Sequence, residues 1–209
     1  MSSEQYIKNQ IETIKNELEG EPKNHSLLND LGVGYYLIGE YEEAVHHLKS
    51  AIEIEPENAT YLFNLANAFS ELEEFEMAQK FYLDALELIP DHIPSLTNLA
   101  DCYEASGEDE KAEELFEYVT KLAPENALAF FNLGNFQLRQ NEHIKAVKNY
   151  ERAIQIESSF VDAYYNIAWV LTEVRAFEEA LPYAEKGLET DPNHSDLQEI
   201  LGKIRENIG

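Results

Sequence analysis

One alanine, returning at an unvarying interval, restricts the fold of this chain more than any other feature. Ala44, Ala78, Ala112, Ala146 and Ala180 stand 34 residues apart, with no insertion or deletion between them. Pro22, Pro56, Pro90 and Pro124 keep the same period, Ser158 stands where the next proline falls due, and Pro192 resumes it. Twelve residues before each alanine comes a small residue, Gly32, Ala66, Ala100, Gly134 or Ala168, itself preceded by Leu31, Leu65, Leu99, Leu133 or Ile167. A fixed period of this length means stacked copies of one supersecondary unit, and 34 residues suits a helix-turn-helix hairpin.

Five hairpins are predicted, over 25–58, 59–92, 93–126, 127–160 and 161–194. The first helix of each carries apolar residues three or four apart, such as Leu62, Leu65 and Phe69, or Leu96, Leu99 and Tyr103, which is one buried stripe per helix. The second helix has its own stripe, for example Leu48, Ala51 and Ile52. Between them the turn falls at Gly39, Glu73, Gly107, Asn141 and Arg175, three of which are residue types that accept a left-handed backbone. The small residues mark helix crossings, where a bulky side chain would hold the backbones apart. The prolines lie just past each second helix and stop it, because they lack an N–H and have a fixed φ.

These residues resemble the tetratricopeptide repeat family, whose pattern on 59–92 reads Leu62, Leu65, Ala66, Phe69, Ala78, Tyr82, Ala85 and Pro90. Departures are mild: Gln137 replaces a first-helix aromatic, Val119 and Gly187 a late alanine, and Ser158 a proline, which affects local packing and not the fold. The resemblance implies an all-α fold, an α-solenoid wound as a right-handed superhelix, with first helices on the concave wall and second helices outside. It also implies a protein-protein interaction module.

Two single helices are expected to close the array. Ile7, Ile11, Ile14 and Leu18 form an amphipathic stripe over 1–20, stopped at Gly20 and Pro22, with Gln10 in the alanine slot of a degenerate N-terminal cap. Leu197, Ile200, Leu201, Ile204 and Ile208 give 195–209 a stripe that must dock on the last repeat. With no linker in the period, one domain over 1–209 is expected, holding twelve helices. No apolar run approaches membrane-spanning length or a signal peptide, so a soluble, cytoplasmic protein is the expectation.

Charge narrows the ligand class. A net charge of −26, from 41 acidic and 15 basic residues, repels nucleic-acid phosphate and anionic membranes. It reads either as attraction for basic partners or as solubility of a large exposed surface. The single cysteine, Cys102, rules out an internal disulfide and a cysteine zinc cluster, and reads as a buried thiol. None of the six histidines pairs with a carboxylate at metal-ligand spacing, and the adjacent His46 and His47 are expected to diverge. His92 and His194 share an inter-repeat turn position, which suggests a structural or groove-rim role. Phosphate loops, nucleophile elbows and kinase signatures are absent. Neither an enzymatic activity, a metal nor a cofactor is expected.

The helical phase then selects a binding face. Two residues before each small residue stand Asp30, Asn64, Asn98, Asn132 and Asn166, with Ile200 in that place on the last helix. An amide offers both a donor and an acceptor, so a ladder of asparagines can grip an extended peptide backbone whatever its sequence. The ladder of Asn64, Asn98, Asn132 and Asn166 is similar to that in the repeat superhelix of O-linked N-acetylglucosamine transferases; Asp30 and Ile200 break it at its ends. The other reading is that these amides contact a neighbouring helix or water. By phase the same face carries Phe63, Phe131 and Tyr165, then Asn67, Asp101, Asn135 and Trp169. The aromatics offer apolar pockets or pack between repeats. Glu71, Asp101, Glu104 and Glu173 make the rim acidic, and the basic clamp that some family members use for a terminal carboxylate is not matched, Arg139 being the only basic candidate nearby. The expected function is an adaptor or assembly factor that holds an extended, basic or apolar peptide; the alternative is a scaffold that self-assembles through its capping helices or outer wall.

Overall fold

The structure, a computed structural model, describes residues 2–208; Met1 and Gly209, the ends of the expected domain, lie outside the described residues. Helices account for all the regular structure there: α1 (Ser3–Gly20), α2 (His25–Leu37), α3 (Tyr41–Ile54), α4 (Ala59–Glu71), α5 (Phe75–Leu88), α6 (Ile93–Ala105), α7 (Asp109–Leu122), α8 (Ala127–Arg139), α9 (His143–Ile156), α10 (Val161–Glu173), α11 (Phe177–Thr190) and α12 (Ser195–Ile208). They follow the predicted hairpins, with α1 and α12 as the two single helices. The fold is an all-α solenoid of hairpins. It divides into two compact units, Met1–Leu115 and Phe116–Gly209, and the division falls within α7.

Local chemistry starts and stops these helices. Asn24, Asn58 and Asn126 each cap a first helix, their Oδ1 atoms accepting from the backbone N–H groups two and three residues on. These caps recur with the repeat period, and the sequence reading passed over them. Inside the hairpins, Gly39, Glu73, Gly107, Asn141 and Arg175 all adopt positive φ, between 58° and 80°. The turn therefore forces the left-handed conformation on Glu73 and Arg175 as well, although neither favours it.

Packing follows the small residues. Ala44, Ala78, Ala112, Ala146 and Ala180 are all completely buried. A methyl group added at Gly32 would stand 2.5 Å from Leu48 Cγ, so α2 and α3 approach as closely as a glycine permits. In the first unit Leu48, Leu65, Phe69, Tyr82 and Leu99 form a continuous core. In the second, one core gathers around Tyr150 and Ile167, and another joins Ala180 and Ala184 to Leu197, Ile200 and Ile204 of α12. Most of the aliphatic stripe of α12 is thus docked, with Leu197 and Ile204 wholly buried, while Ile208 at its end stays 42% exposed. First helices also touch the first helices of the next hairpin, α2 with α4, α4 with α6 and α10 with α12, so each unit presents them along one shared wall.

Candidate peptide-binding face

Within the first unit, the ladder positions take part in hydrogen bonds between successive helices. Asn64 Nδ2 donates to Asn29 Oδ1 at 2.9 Å, and Asn29 in turn donates to Asp30 Oδ1 at 3.2 Å. One repeat on, Asn98 Nδ2 donates to Asn67 Oδ1 at 2.9 Å, while Tyr82 Oη, arriving from α5 beneath, donates to the same oxygen at 2.6 Å. Both lone pairs of that oxygen are then engaged, so what Asn67 can offer a ligand is its NH2 group. Asn98 keeps the converse, its carbonyl oxygen. A donor and an acceptor therefore stand in fixed orientation on the first-helix wall.

The second unit builds the same device independently. Asn166 Nδ2 donates to Asn135 Oδ1 at 3.1 Å, and Tyr150 Oη from α9 donates to that oxygen at 2.8 Å. Burial raises the pKa of Tyr82 well above the ordinary phenol range, and pushes that of Tyr150 up to about 12. Both phenols stay protonated as donors at any physiological pH. The asparagines that the phase selected are thus partly committed to neighbouring helices, as the alternative reading held, and the commitment aims their remaining polar atoms. Asn132 lies half-buried on α8 in the same register.

Tyr82 and Tyr150 were missed as members of the site, yet their signal is present in the sequence. Asn67 accompanies Tyr82 and Asn135 accompanies Tyr150, whereas the corresponding pairs elsewhere are Val33 with Leu48, Asp101 with Phe116 and Trp169 with Ala184. A hydroxyl on the second helix goes with an amide on the first.

A polar pocket of about 190 Å³ opens beside the first of these networks, walled by Tyr36, Asn67, Ser70, Glu71, Tyr82, Asn98 and Asp101. Tyr36 Oη donates to Glu71 Oε1 at 3.3 Å. Burial and then the Glu71 charge raise the Tyr36 pKa; for Tyr41, nearby, the Glu71 charge is the main cause of a rise. Negative potential is therefore concentrated at the mouth of a pocket lined with hydroxyls and amides.

The aromatic positions are half-buried and packed between hairpins. Phe63 meets the Tyr82 and His92 rings, the latter edge-on at 5.2 Å; Phe131 lies 4.7 Å from Phe160; and Tyr165 stacks on His194 at 5.7 Å. Trp169 is the most open of them, at 37% exposure. His92 and His194 serve helix starts: His92 Nδ1 bonds the Ser95 hydroxyl at 2.7 Å, and His194 Nδ1 accepts from the Leu197 N–H at 3.3 Å. His46 and His47 do not diverge as expected, because their rings meet edge to face at 5.0 Å, with His47 stacked on Tyr35. Cys102 is buried, which raises its thiol pKa, and its sulfur lies 3.5 Å from the Ser70 hydroxyl. Among the described residues no group of three or more His, Cys, Asp or Glu side chains is placed to hold a metal, and no helix is long and apolar enough to cross a membrane.

A family model described as TPR repeat matches residues 32–73, and three described as Tetratricopeptide repeat match 57–125, 97–160 and 161–194. The chain belongs to the tetratricopeptide repeat family. No curated protein matches the sequence. Among solved structures, the C-terminal part of a TPR repeat-containing protein from Cytophaga hutchinsonii shares 16% identity at a TM-score of 0.78, covering 97% of this chain and 81% of that one. PilF of Pseudomonas aeruginosa shares 23% at 0.72, covering 90% and 87%. YrrB, described as a TPR protein with an unusual peptide-binding site, shares 16% at 0.63, covering 90% and 97%. At these identities the likeness is one of fold. Membership of the tetratricopeptide repeat family assigns the chain to the class of protein-interaction modules.

Proposed function

We propose that this tetratricopeptide repeat protein is a non-catalytic adaptor whose first helices, in each unit, bind extended peptide. The amides of Asn64, Asn98, Asn132 and Asn166, with the NH2 groups of Asn67 and Asn135, read the peptide backbone, while Trp169 and the edges of Phe63, Phe131 and Tyr165 contact its side chains. The observation that carries this reading is the polar pocket of the first unit. For a side chain its walls offer acceptors, the Asn98 carbonyl oxygen, the Glu71 carboxylate and the hydroxyl oxygens of Tyr36, Ser70 and Tyr82, while the Asn67 NH2 group is left for a peptide carbonyl. That set suits a lysine ammonium or arginine guanidinium, which brings donors and no acceptor. The net charge of −26 favours such a peptide on approach.

Each hydrogen bond to a peptide contributes about 0.5–1.5 kcal/mol net, so a paired loss is needed for a clear effect. The test is selection of random dodecapeptides displayed on phage, followed by titration of a selected peptide against variants. Enrichment of Lys or Arg is expected, with affinity falling at least tenfold in Asn98→Ala/Asn132→Ala and in Glu71→Gln while helicity is unchanged. Selected peptides that bind both variants as tightly as the parent protein would overturn the proposal.

A further inference from the structure

The polar pocket of the first unit stands on a framework that the second unit repeats, but the side chains around it are not repeated. Asn67, Tyr82 and Asn98 have counterparts two repeats on in Asn135, Tyr150 and Asn166, which make the same hydrogen bonds. Ser70, Glu71 and Asp101, which line the pocket, give way there to Leu138, Arg139 and Trp169. The amides that face a peptide backbone are thus common to both units, and the acidic lining belongs to the first. Charge divides the same way: residues 1–115 carry 26 acidic and 6 basic side chains, and residues 116–209 carry 15 and 9, so the first unit is where a cation is drawn. No Lys, Arg or His lines the pocket to occupy its carboxylates.

Hydrogen bonds within the pocket leave its phenols as acceptors. Tyr36 Oη commits its proton to Glu71 Oε1 at 3.3 Å and Tyr82 Oη to Asn67 Oδ1 at 2.6 Å, so each offers a ligand lone pairs and no proton. Asn98 keeps its carbonyl oxygen, and the Ser70 hydroxyl, 3.5 Å from Cys102 Sγ, keeps a lone pair. A ligand side chain therefore meets acceptors contributed by three helices: Tyr36 on α2, Ser70 and Glu71 on α4, and Asn98 on α6. The two basic side chains make different demands on such a set. A guanidinium is a planar fork, best matched by a carboxylate that presents both oxygens to it, whereas an ammonium is a compact charge with three rotatable donors. Glu71 Oε1 already accepts from Tyr36, and the other acceptors come from separate helices instead of one planar group.

Resting on the peptide-binding reading above, we infer that this pocket is a subsite for lysine, which it prefers to arginine and no longer holds once the ammonium is acetylated or trimethylated. Glu71, Asn98 and Ser70 accept from the ammonium, and the Asn67 NH2 group donates to a carbonyl of the peptide. Acetylation removes the charge and two of the three donors. Trimethylation keeps the charge and removes every donor. Binding by the first unit is thereby coupled to the modification state of the partner's lysine.

The probe is a blocked nonapeptide of alanine and serine with one central lysine, titrated into the 15N-labelled protein while the side-chain amide signals of Asn67 and Asn98 are followed by NMR. Counterpart peptides carry arginine, acetyl-lysine, trimethyl-lysine or norleucine at the centre. The lysine peptide should shift both signals and bind at least about fivefold more tightly than the other four. Tyr36→Phe frees Glu71 Oε1 for a guanidinium and withdraws one acceptor, so the preference for lysine over arginine should fall at least about threefold, with circular dichroism unchanged. Arginine bound as tightly as lysine, with both weakened in Glu71→Gln, would overturn the lysine assignment and leave the basic-peptide reading standing. Trimethyl-lysine or acetyl-lysine bound as tightly as lysine, or a preference unchanged in Tyr36→Phe, would overturn the assignment in the same way. Norleucine bound as tightly as lysine, or no shift of either signal by any peptide, would overturn both.

Discussion

Removing one hydroxyl should reverse its effect according to whether one amide is present. Tyr82 is buried, with only 1% exposure, and its Oη donates to Asn67 Oδ1 at 2.6 Å. Tyr82→Phe keeps the ring and leaves Asn67 with the Asn98 donor, so the loss is that of one net hydrogen bond, about 1 kcal/mol. Asn67→Ala is more costly, about 2–4 kcal/mol, because it removes the acceptor of two bonds and leaves a buried hydroxyl unsatisfied. In that background Tyr82→Phe takes away the unsatisfied group and should stabilise by about 1–2 kcal/mol. The four proteins of this double-mutant cycle would be compared by urea unfolding, with hydrogen exchange of the α4 to α6 amides as a local readout, since repeat arrays unfold in parts. The reasoning fails if Tyr82→Phe costs the same in both backgrounds. A cycle of that outcome would mean that the hydroxyl and Asn67 do not act as a pair, and the fixed donor and acceptor proposed for peptide binding would lose their support.

Two further outcomes follow from the same geometry. The Tyr150 pKa of about 12 exceeds the unfolded value near 10, so the folded chain holds this proton more tightly and the resulting stability is complete below pH 10. It should be lost between about pH 10 and 12, by about 2–3 kcal/mol, and a urea midpoint that falls no more steeply in the parent than in Tyr150→Phe would contradict the assignment. At the turns, Glu73→Gly relieves a left-handed residue at φ 58° and should raise stability by about 0.5–1 kcal/mol, whereas Gly39→Ala at φ 80° should lower it by about 1 kcal/mol; thermal melts giving the same sign for both would refute the argument.

The hairpins, their order and their ends were legible in the sequence because every signal that defines them is local or strictly periodic. Ala78 and its equivalents place the crossings, Pro56 and its equivalents set the stops, and the stripe of Ile200 and Ile204 requires a docked last helix. The family and the all-α fold follow from these alone. Helical phase also put Asn64 and Asn98 at one register position on the first helices of the first unit, and Asn132 and Asn166 at the same position in the second, since phase depends only on residue number. What the phase could not reveal is which amide atoms remain for a ligand. Asn98 and Asn67 are 31 residues apart and Tyr82 comes from another helix, so only packing brings their polar atoms within bonding distance. The turns show the same limit at smaller scale: closing the hairpin imposes positive φ on Glu73 and Arg175 against their own preference. The crevice between α9 and α10 is the clearest case. Ile144 and Val147 look like ordinary apolar residues of a helix, and only the stacked helices show that they wall an open cavity. Periodicity determines which helices meet; the tertiary structure decides which polar groups and apolar faces remain unsatisfied after they have met, because that remainder depends on contacts between residues far apart in the chain.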